Sequence, residues 1–452
     1  MASQAAVILA AGTGTRMKSQ VPKVVHRVCG REMVGLVVDA AKQAGFNTTI
    51  VVVGPDSRAV REVLGKGVLY AVQAEPHGTG HALLQSRELL DGVDNVAVLS
   101  GDVPLIRHET LGSMMQLHLD RQADITLLTA SLADTRGLGR VVRNTSGDVT
   151  AVVEDSEADE DVRAITEING GVYCFRSSWL WPSLNALAPS SGGEVFLTDL
   201  VSAASRKGMV IESVQPNSTR EILGVNTRVH LSEVETAIRQ DIRERWMLSG
   251  VTLLDPASVY IDSNVRLGRD TIVLPNTHLT GGSVVGSGCK IGPNTIVDGS
   301  RIGDGCRIVA SVIEDSTLED GVEVGPFSYI RRACHLESGV HIGTFAEIKK
   351  SRLGRGTKSH HFSYVGDAAV GANVNIGAGT VTCNFDGVRK HRTYIEDDAF
   401  IGSDSMLVAP VTIGARSSTG AGAVVTRDVP PDSLAVGIPA RAKSKDGDSE
   451  ID

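Results

Sequence analysis

The 452-residue sequence has few aromatic residues and no excess of positive charge. Phe, Trp and Tyr make up 4% of the chain, so small aliphatic side chains must fill most of the core. The 53 acidic residues outnumber the 44 basic ones, which gives a net charge of −9. This balance argues against a nucleic-acid partner or an anionic membrane surface, because both need a basic face. Hydrophobic residues at 42% fit a globular protein and exclude general disorder.

Targeting, membrane and disulfide signals are also missing. No apolar run approaches the ~18 residues of a membrane span. The run at 7–11 is too short for a signal sequence, and no basic residues precede it. The six cysteines form no CxxC pair, which is typical of free thiols in a reducing compartment and not of a zinc site. We therefore expect a cytoplasmic protein without a membrane-spanning segment.

The first 228 residues alternate short apolar runs with helical patterns. Val34, Val37, Val38 and Ala41 give one such helical periodicity. Buried runs that alternate with helices predict an α/β, Rossmann-like domain with a mainly parallel sheet. The strand candidates are 6–10, 49–53, 96–99 and 125–130.

Residues 229–250 predict a single amphipathic linker helix, because Leu231, Val234, Ile238 and Ile242 recur at three- and four-residue spacing. From about residue 260, aliphatic residues recur every six positions, and glycine often follows them. Three six-residue sides form one triangular coil, so 251–452 predicts a parallel β-helix. The three six-residue series are Leu267, Val273, Leu279, Val285, Ile291 and Val297; Leu318, Val324, Ile330, Leu336, Ile342 and Ile348; and Ile401, Leu407, Ile413, Thr419 and Val425.

A glycine turn follows the first buried strand, within residues 9–17. Gly12 and Gly14 allow backbone amides to approach a phosphate closely, and Arg16 and Lys23 supply positive charge. The segment lacks the third glycine of the dinucleotide fingerprint, and no GKS/T follows. The glycines alone favour an ordinary strand-to-helix turn, whereas the two cations favour phosphate binding.

Two further clusters lie where open α/β sheets place ligands. Gln73 precedes a second glycine loop, 75–81, that is able to enclose a base or sugar. Asp102 follows a buried strand and is a candidate metal ligand. A single Asp in this position is more often a helix cap, so the neighbouring clusters carry the metal prediction.

The β-helix half carries a candidate general base and one insertion. Two adjacent histidines do not fit a β-helix core, and solvated surface is the simplest interpretation of His360. His361 is different, because Arg331 and Lys349 can bind a sugar phosphate while the imidazole accepts a proton from an amine. The polar, basic insertion at 384–392 interrupts the repeat, and such excursions tend to carry function.

The motifs LAAGTGTRM, GTGH and SGDVP resemble the sugar-nucleotide pyrophosphorylase superfamily. With the repeat half, residues 5 to 440 resemble the bacterial bifunctional N-acetylglucosamine-1-phosphate uridyltransferases/glucosamine-1-phosphate N-acetyltransferases. The resemblance implies a left-handed β-helix, a homotrimer with acetyl-transfer sites between subunits, and Mg²⁺. It also implies two reactions: acetyl-CoA acetylates glucosamine 1-phosphate, and UTP then uridylylates N-acetylglucosamine 1-phosphate with release of pyrophosphate.

The resemblance also implies roles in uridylyl transfer, which needs charge neutralisation and alignment but no covalent nucleophile. The residues expected to hold the uridine nucleotide are Leu9, Ala10, Ala11, Gly12, Gln73, Gly78 and Thr79. Arg16 and Lys23 would face the phosphates, and Asp102 and Asn226 would ligate Mg²⁺. The residues expected to hold sugar and ribose are Gly139, Glu154, Asn169 and Asn226.

In acetyl transfer, His361 would be the base that accepts the proton of the 2-amino group, with Glu347 orienting its ring. Lys390 would reach a phosphate or a neighbouring subunit. The residues expected to bind the sugar phosphate are Arg331, Lys349, Tyr364 and Asn375. The residues expected to line the acetyl-CoA site are Ala378, Asn384, Phe385, Ser403 and Ala421.

The chain departs from the family pattern at several positions. Phe385 replaces a tyrosine, and Ile438 replaces an arginine for which Arg441 is a candidate substitute. The other departures are 169–171, 194–199 and 331–333. Two alternatives to the bifunctional enzyme stay open at this point. One is a monofunctional nucleotidyltransferase with a structural or regulatory β-helix, and the other is a non-catalytic assembly subunit.

Overall fold

The computed structural model describes residues 2–135, 137–190 and 193–444. The chain divides into two compact units, Met1–Ile238 and Arg239–Asp452. The acidic segment 446–452 lies outside the described residues. No helix in the described part has the length and apolar composition needed to cross a membrane.

The first unit alternates strands and helices, as predicted. Its strands are β1 Gln4–Ala10, β2 Arg27–Val28, β3 Arg31–Glu32, β4 Thr48–Val53, β5 Leu69–Val72, β6 Asn95–Ser100, β7 Ile125–Ser131, β8 Arg140–Arg143, β9 Val149–Val153, β10 Glu167–Arg176 and β11 Ile211–Val214. The helices of the chain are α1 Met33–Gln43, α2 Arg58–Leu64, α3 Gly78–Leu84, α4 His108–Asp120, α5 Glu160–Arg163, α6 Ser177–Asn185, α7 Asp199–Arg206 and α8 Arg228–Leu248.

The main sheet has the order β11-β7-β10-β6-β1-β4-β5, with the β8–β9 hairpin joined to β10. Strand β10 runs antiparallel to its neighbours β6, β7 and β8, and β8 runs antiparallel to β9. Residues of β1 alternate between two apolar clusters, with Ile8 in one and Val7 in the other, so both faces of the sheet are covered. The α/β, mainly parallel prediction is confirmed.

Helix α8 forms where the amphipathic pattern predicts it. Val234 and Ile242 are buried, and Gly250 follows the helix with a φ of +94° that L-residues rarely adopt. The division between the two units falls inside this helix, after Ile238. Domain boundaries at 228 and 250 therefore stay predictions.

The second unit is built from short strands and ends in a hairpin. Its strands are β12 Thr252–Leu253, β13 Tyr260–Ile261, β14 Arg266–Leu267, β15 Ile272–Val273, β16 His278–Thr280, β17 Val284–Val285, β18 Lys290–Ile291, β19 Ile296–Asp298, β20 Arg301–Ile302, β21 Arg307–Ile308, β22 Val312–Glu314, β23 Thr317–Leu318, β24 Glu323–Val324, β25 Tyr329–Ile330, β26 His335–Leu336, β27 His341–Ile342, β28 Ala346–Lys349, β29 Arg352–Leu353, β30 Lys358–Ser359, β31 Ser363–Gly366, β32 Ala368–Val370, β33 Asn375–Ile376, β34 Val381–Cys383, β35 Thr393–Ile395, β36 Phe400–Ile401, β37 Met406–Val408, β38 Val411–Ile413, β39 Ser418–Thr419, β40 Val424–Val425, β41 Ser433–Gly437 and β42 Ala440–Ser444.

These strands form three sheets, and within each sheet a strand pairs in parallel with the strand of the next coil. The last pair of the first sheet, β41–β42, is an antiparallel hairpin. We call them sheet one (β12 to β42), sheet two (β13 to β40) and sheet three (β14 to β38), in the order in which their first strands occur in the chain. All members of the three six-residue series are buried. The left-handed parallel β-helix is therefore confirmed, with the aliphatic residue of each repeat pointing inward.

The insertion at 384–392 leaves the coil register intact. Asn375 pairs with Lys358 on one side and with Phe400 on the other, although many more residues separate it from Phe400. Asp386 stabilises the excursion, because its Oδ1 accepts hydrogen bonds from the backbone of Val388 and Arg389. The extra residues therefore project from a coil that is otherwise continuous.

Candidate active sites

The glycine turn at the carboxyl end of β1 is shaped by its neighbour Lys23. Gly14 has a φ of +63°, and a Cβ there would lie 2.7 Å from the Lys23 Cβ. A side chain at Gly14 would therefore be strained and would displace the lysine. At Gly12, by contrast, a Cβ would meet nothing within 4 Å among the described residues, so the turn is open on this side.

Four predicted phosphate and metal residues converge beside this turn. The Lys23 ammonium forms an ion pair with Asp102 and donates a 3.1 Å hydrogen bond to Asn226 Oδ1. Arg16 Nη2 donates to the same amide oxygen, also at 3.1 Å. A hydrogen bond from the Val225 backbone to the Asp102 carbonyl ties the two segments together. Two cations and two oxygen ligands thus lie within one cluster.

The donor set of this cluster fits a hard divalent cation. The Asp102 carboxylate and the Asn226 amide oxygen converge on one cation, the Lys23 ammonium. Oxygen ligands of this kind are what Mg²⁺ takes, with phosphate oxygens and water completing the shell. In the described part of the chain, no three His, Cys, Asp or Glu residues are grouped to hold a metal.

Gln73 and the second glycine loop lie at the carboxyl end of β5. Gln73 is 5% exposed, and its Nε2 donates a 3.1 Å hydrogen bond to the Gly78 carbonyl. A Cβ on Gly78 would meet the Val195 carbonyl at 2.5 Å, and Thr79 Oγ1 accepts from the Leu197 backbone at 3.0 Å. The stretch that departs from the family pattern, 194–199, therefore packs on this loop.

The predicted sugar residues Gly139, Glu154 and Asn169 lie together. The Asn169 backbone donates to the Gly139 carbonyl at 2.8 Å, and Glu154 Oε1 accepts from the Thr198 hydroxyl at 3.0 Å. Burial raises the pKa of Glu154, and the Thr198 hydrogen bond partly opposes that rise. Tyr173, whose hydroxyl accepts from Asn169 Nδ2 at 2.6 Å, and Thr198 were missed by the sequence analysis.

Four of the predicted acetyl-transfer residues share one corner of the β-helix. Each lies two residues after a strand of sheet one, on four successive coils, which are those of β30, β33, β36 and β39. Backbone hydrogen bonds between these coils, such as Asp404 to Ala378 at 2.6 Å and Gly422 to Ser403 at 2.8 Å, align the corner. The residues in this row are His361, Ala378, Ser403 and Ala421.

Three of the predicted phosphate-binding residues, Arg331, Lys349 and Tyr364, lie on or directly after strands of sheet two, which follows this corner. Arg331 Nη1 forms a 2.8 Å ion pair with Glu347. Lys349 Nζ lies 3.8 Å from Asp367 Oδ2, and Asn384 Nδ2 donates to the same oxygen at 2.6 Å. Asn384 also donates to the Tyr364 hydroxyl at 3.3 Å, so it connects the insertion to this cluster.

Comparisons with known proteins match both halves. The MobA-like NTP transferase domain family covers residues 6–204, and the bacterial transferase hexapeptide (six repeats) family covers 264–299 and 392–427. The chain is 47% identical over 438 residues to "Bifunctional protein GlmU" of Heliobacterium modesticaldum, with 96% of each chain covered. The proteins of the same name from Halalkalibacterium halodurans (43%; 98% of this chain, 97% of the relative) and Geotalea uraniireducens (44%; 96% of each) are similar. The chain belongs to the GlmU family.

Membership in the GlmU family decides between the alternatives left open by the sequence. The chain is a bifunctional enzyme of UDP-N-acetylglucosamine biosynthesis, an acetyltransferase and a uridyltransferase. It acts on nucleotide-sugar substrates and acetyl-CoA and uses a divalent metal. A structure of UDP-glucose pyrophosphorylase complexed with UDP-glucose aligns with 53% of the chain at 18% identity, with a TM-score of 0.44. That likeness is too low to support an argument.

Some predicted residues of the GlmU acetyl-transfer site are not joined by direct contacts within one chain. Asn375 lies on sheet one, and Phe385 is 58% exposed in the insertion. His361 is exposed at its corner, and Glu347 pairs with Arg331 where orientation of His361 was expected. The neighbouring Lys349 ammonium lowers the pKa of Lys390, so the insertion brings a second lysine to this cluster.

Proposed function

We propose that the first unit transfers the uridylyl group at the carboxyl edge of its sheet. Arg16 and Lys23 bind the triphosphate, and Asp102 and Asn226 hold Mg²⁺. The observation that carries this assignment is the convergence of both cations on the oxygens of Asp102 and Asn226. The uridine nucleotide is held by residues 9–12 of the glycine turn and by Gln73, together with Gly78 and Thr79 of the second glycine loop.

Uridylyl transfer at this site needs alignment more than side-chain chemistry. The sugar-1-phosphate oxygen attacks the α-phosphate of UTP, and pyrophosphate leaves in line. Without substrate, Lys23 pairs with Asp102. When UTP binds, Lys23 pairs with a phosphate oxygen instead, so the same ammonium is charge-paired in both states. Bound Mg²⁺ supplies further charge neutralisation. Glu154, with Gly139 and Asn169, orients the sugar.

For acetyl transfer, we propose that His361 accepts a proton from the 2-amino group of glucosamine 1-phosphate. The amine nitrogen attacks the thioester carbonyl, a C–N bond forms, the C–S bond breaks and CoA leaves as its thiol. Arg331 and Lys349 bind the sugar phosphate in exchange for Glu347 and Asp367. The row of His361 with Ala378, Ser403 and Ala421 supports this assignment, because it sets the base beside the proposed acetyl-CoA residues.

We further propose that the enzyme is a cytoplasmic homotrimer whose acetyl-transfer sites are completed between subunits. Phe327 and Phe345 stack with ring centroids 5.5 Å apart and are 61% and 64% exposed. Phe362, next to His361, continues this row at 56% exposed. Exposed aromatic rows of this size favour a protein interface. A neighbouring copy seated there would bring Asn375 or Phe385 towards His361.

The trimer is tested by the mass of the full chain in solution. Phe345→Ser introduces a polar residue into the aromatic row, and we expect lower mass in light scattering together with loss of acetyl transfer. Tyr394→Ser is the matched control, because Tyr394 is 45% exposed but lies on sheet three. A Phe345→Ser protein of unchanged mass and activity would contradict the proposed interface.

A further inference from the structure

His81 and the Gly78 carbonyl together fix the orientation of the Gln73 amide. Gln73 Nε2 lies 3.1 Å from the Gly78 oxygen and 3.1 Å from His81 Nδ1. A carbonyl oxygen only accepts hydrogen bonds, so the amide atom that faces Gly78 must be the nitrogen. The Gly78 contact therefore assigns the nitrogen and oxygen of the Gln73 amide, and the His81 contact is a second hold on the same orientation.

The two contacts use both hydrogens of the Gln73 amide nitrogen. One goes to Gly78, and the other goes to His81 Nδ1, which must then be unprotonated. Gln73 Oε1 has no donor among the described residues, and the amide is therefore left with an acceptor to offer a ligand. With Gln73 only 5% exposed, a reversed amide would leave a buried polar group unpaired.

Gln85 competes for the imidazole of His81. Its Nε2 lies 3.1 Å from His81 Nε2 and donates to the His81 carbonyl at 3.1 Å. A neutral imidazole accepts at one nitrogen only. Gln85 is partly exposed, so its amide can reverse, accept from a protonated His81 Nε2 through Oε1 and leave its nitrogen to water, whereas Gln73 is buried. The tautomer with acceptor Nδ1 and protonated Nε2 is therefore favoured, since it spares the buried amide.

We propose that His81 is a positioning residue that makes Gln73 select nucleobases with a ring N–H. This inference rests on the proposed function, in which Gln73 faces the base of the nucleotide. Uracil carries an N3–H that donates to Gln73 Oε1. Cytosine has an unprotonated N3, so its lone pair would face the lone pairs of Oε1. Selection against cytosine thus follows from an amide that cannot reverse.

The test compares UTP with CTP as substrates of the full-length enzyme. In His81→Ala, the Gln73 amide keeps only one of its two anchors, and we expect the ratio of kcat/KM for UTP to that for CTP to fall about tenfold. His81→Asn keeps an acceptor near the Nδ1 position and should restore much of the ratio. His108→Ala is the matched control, because His108 is partly exposed, pairs with Glu109 and lies outside this loop. A folded His81→Ala enzyme with an unchanged ratio would overturn the proposal.

A second variant separates this inference from the proposed function. Gln73→Leu removes the amide altogether, and it should lower kcat/KM for UTP and reduce selection against CTP. If Gln73→Leu leaves UTP use unchanged, the placement of the base at Gln73 is wrong. If Gln73→Leu abolishes selection but His81→Ala does not, the base is placed correctly and only the role of His81 is rejected. Equilibrium dialysis measures the dissociation constants for UTP and CTP, and their ratio reports the same selection at the level of binding alone.

Discussion

Lys349 and Asp367 face each other on successive coils, with 3.8 Å between Nζ and Oδ2 and with both side chains largely buried. Asn384 of the insertion donates to the same carboxylate oxygen. Asp367 thus holds a cation at the end of a strand of sheet two and also anchors the start of the inserted segment. This arrangement fits the proposed role of Lys349 in binding the sugar phosphate.

Removing the Lys349 charge should weaken binding of the sugar phosphate. For Lys349→Ala, we expect the KM of glucosamine 1-phosphate to rise about tenfold or more, because a charge-assisted hydrogen bond is lost. The KM of acetyl-CoA should change little. Lys350→Ala is the control, since the neighbouring Lys350 is exposed. Steady-state acetyl transfer measures both constants, and equal effects of the two substitutions would count against the assignment.

Thr198 should tune the acid limb of uridylyl transfer. Its hydroxyl donates to Glu154, and this bond lowers a carboxyl pKa that burial raises. In Thr198→Val, the pKa of Glu154 should rise further. The ionised carboxylate that accepts from the sugar should then be present only above a higher pH. The measurement is kcat/KM for N-acetylglucosamine 1-phosphate against pH.

The acid limb in Thr198→Val should move to higher pH than in the unaltered enzyme. Glu154→Gln provides the control, because an amide does not titrate and the Glu154-dependent limb should vanish. Superimposable profiles for Thr198→Val and the unaltered enzyme would show that the hydroxyl does not tune this carboxylate.

His118 should make the first unit less stable in mild acid. The ring is 1% exposed on α4, its Nδ1 lies 3.0 Å from Thr126 Oγ1, and burial lowers its pKa to about 4. The unfolded chain takes up this proton near pH 6.5 and the folded protein only near pH 4. Stability is therefore fully present above pH 6.5 and falls by ~3 kcal/mol as the pH drops to 4.

Urea unfolding at pH 7 and pH 5 checks this prediction. His118→Gln should lose stability at both values but should show a smaller difference between them than the unaltered protein. His108→Gln, at the partly exposed first residue of the same helix, should keep the full difference. An unchanged difference in His118→Gln would mean that other groups cause the acid sensitivity.

Periodicity made most of the fold predictable. Every series member from Leu267 to Val425 is buried, because the aliphatic residue of each six-residue side points into the triangular coil. The antiparallel hairpin β41–β42 was not foreseen, since it abandons that phase at the chain's end. The reversed direction of β10 was equally hidden, because a buried strand reads the same in either direction.

The candidate sites were predictable where chemistry lies in one short segment, as with Arg16 and Lys23. Partners contributed by distant segments were missed. Thr198 reaches Glu154 through the packing of 194–199 on the Gln73 loop, and Asp367 reaches Lys349 through coil pairing. Lys349 and Asp367 are separated by 18 residues, the length of one predicted coil, so the repeat could have indicated their contact. The spacing of Glu154 and Thr198 carries no such signal, because their contact depends on tertiary structure.

The most direct test of two separate reaction centres is a complementation assay. Full-length His361→Ala and Asp102→Ala proteins are incubated alone and mixed with glucosamine 1-phosphate, acetyl-CoA, UTP and Mg²⁺, and the products are identified by mass. Alone, His361→Ala should form no acetylated sugar, although it uridylylates added N-acetylglucosamine 1-phosphate. Asp102→Ala should stop at N-acetylglucosamine 1-phosphate, and the mixture should form UDP-N-acetylglucosamine. Loss of both activities in either folded variant, or an inactive mixture, would contradict the account.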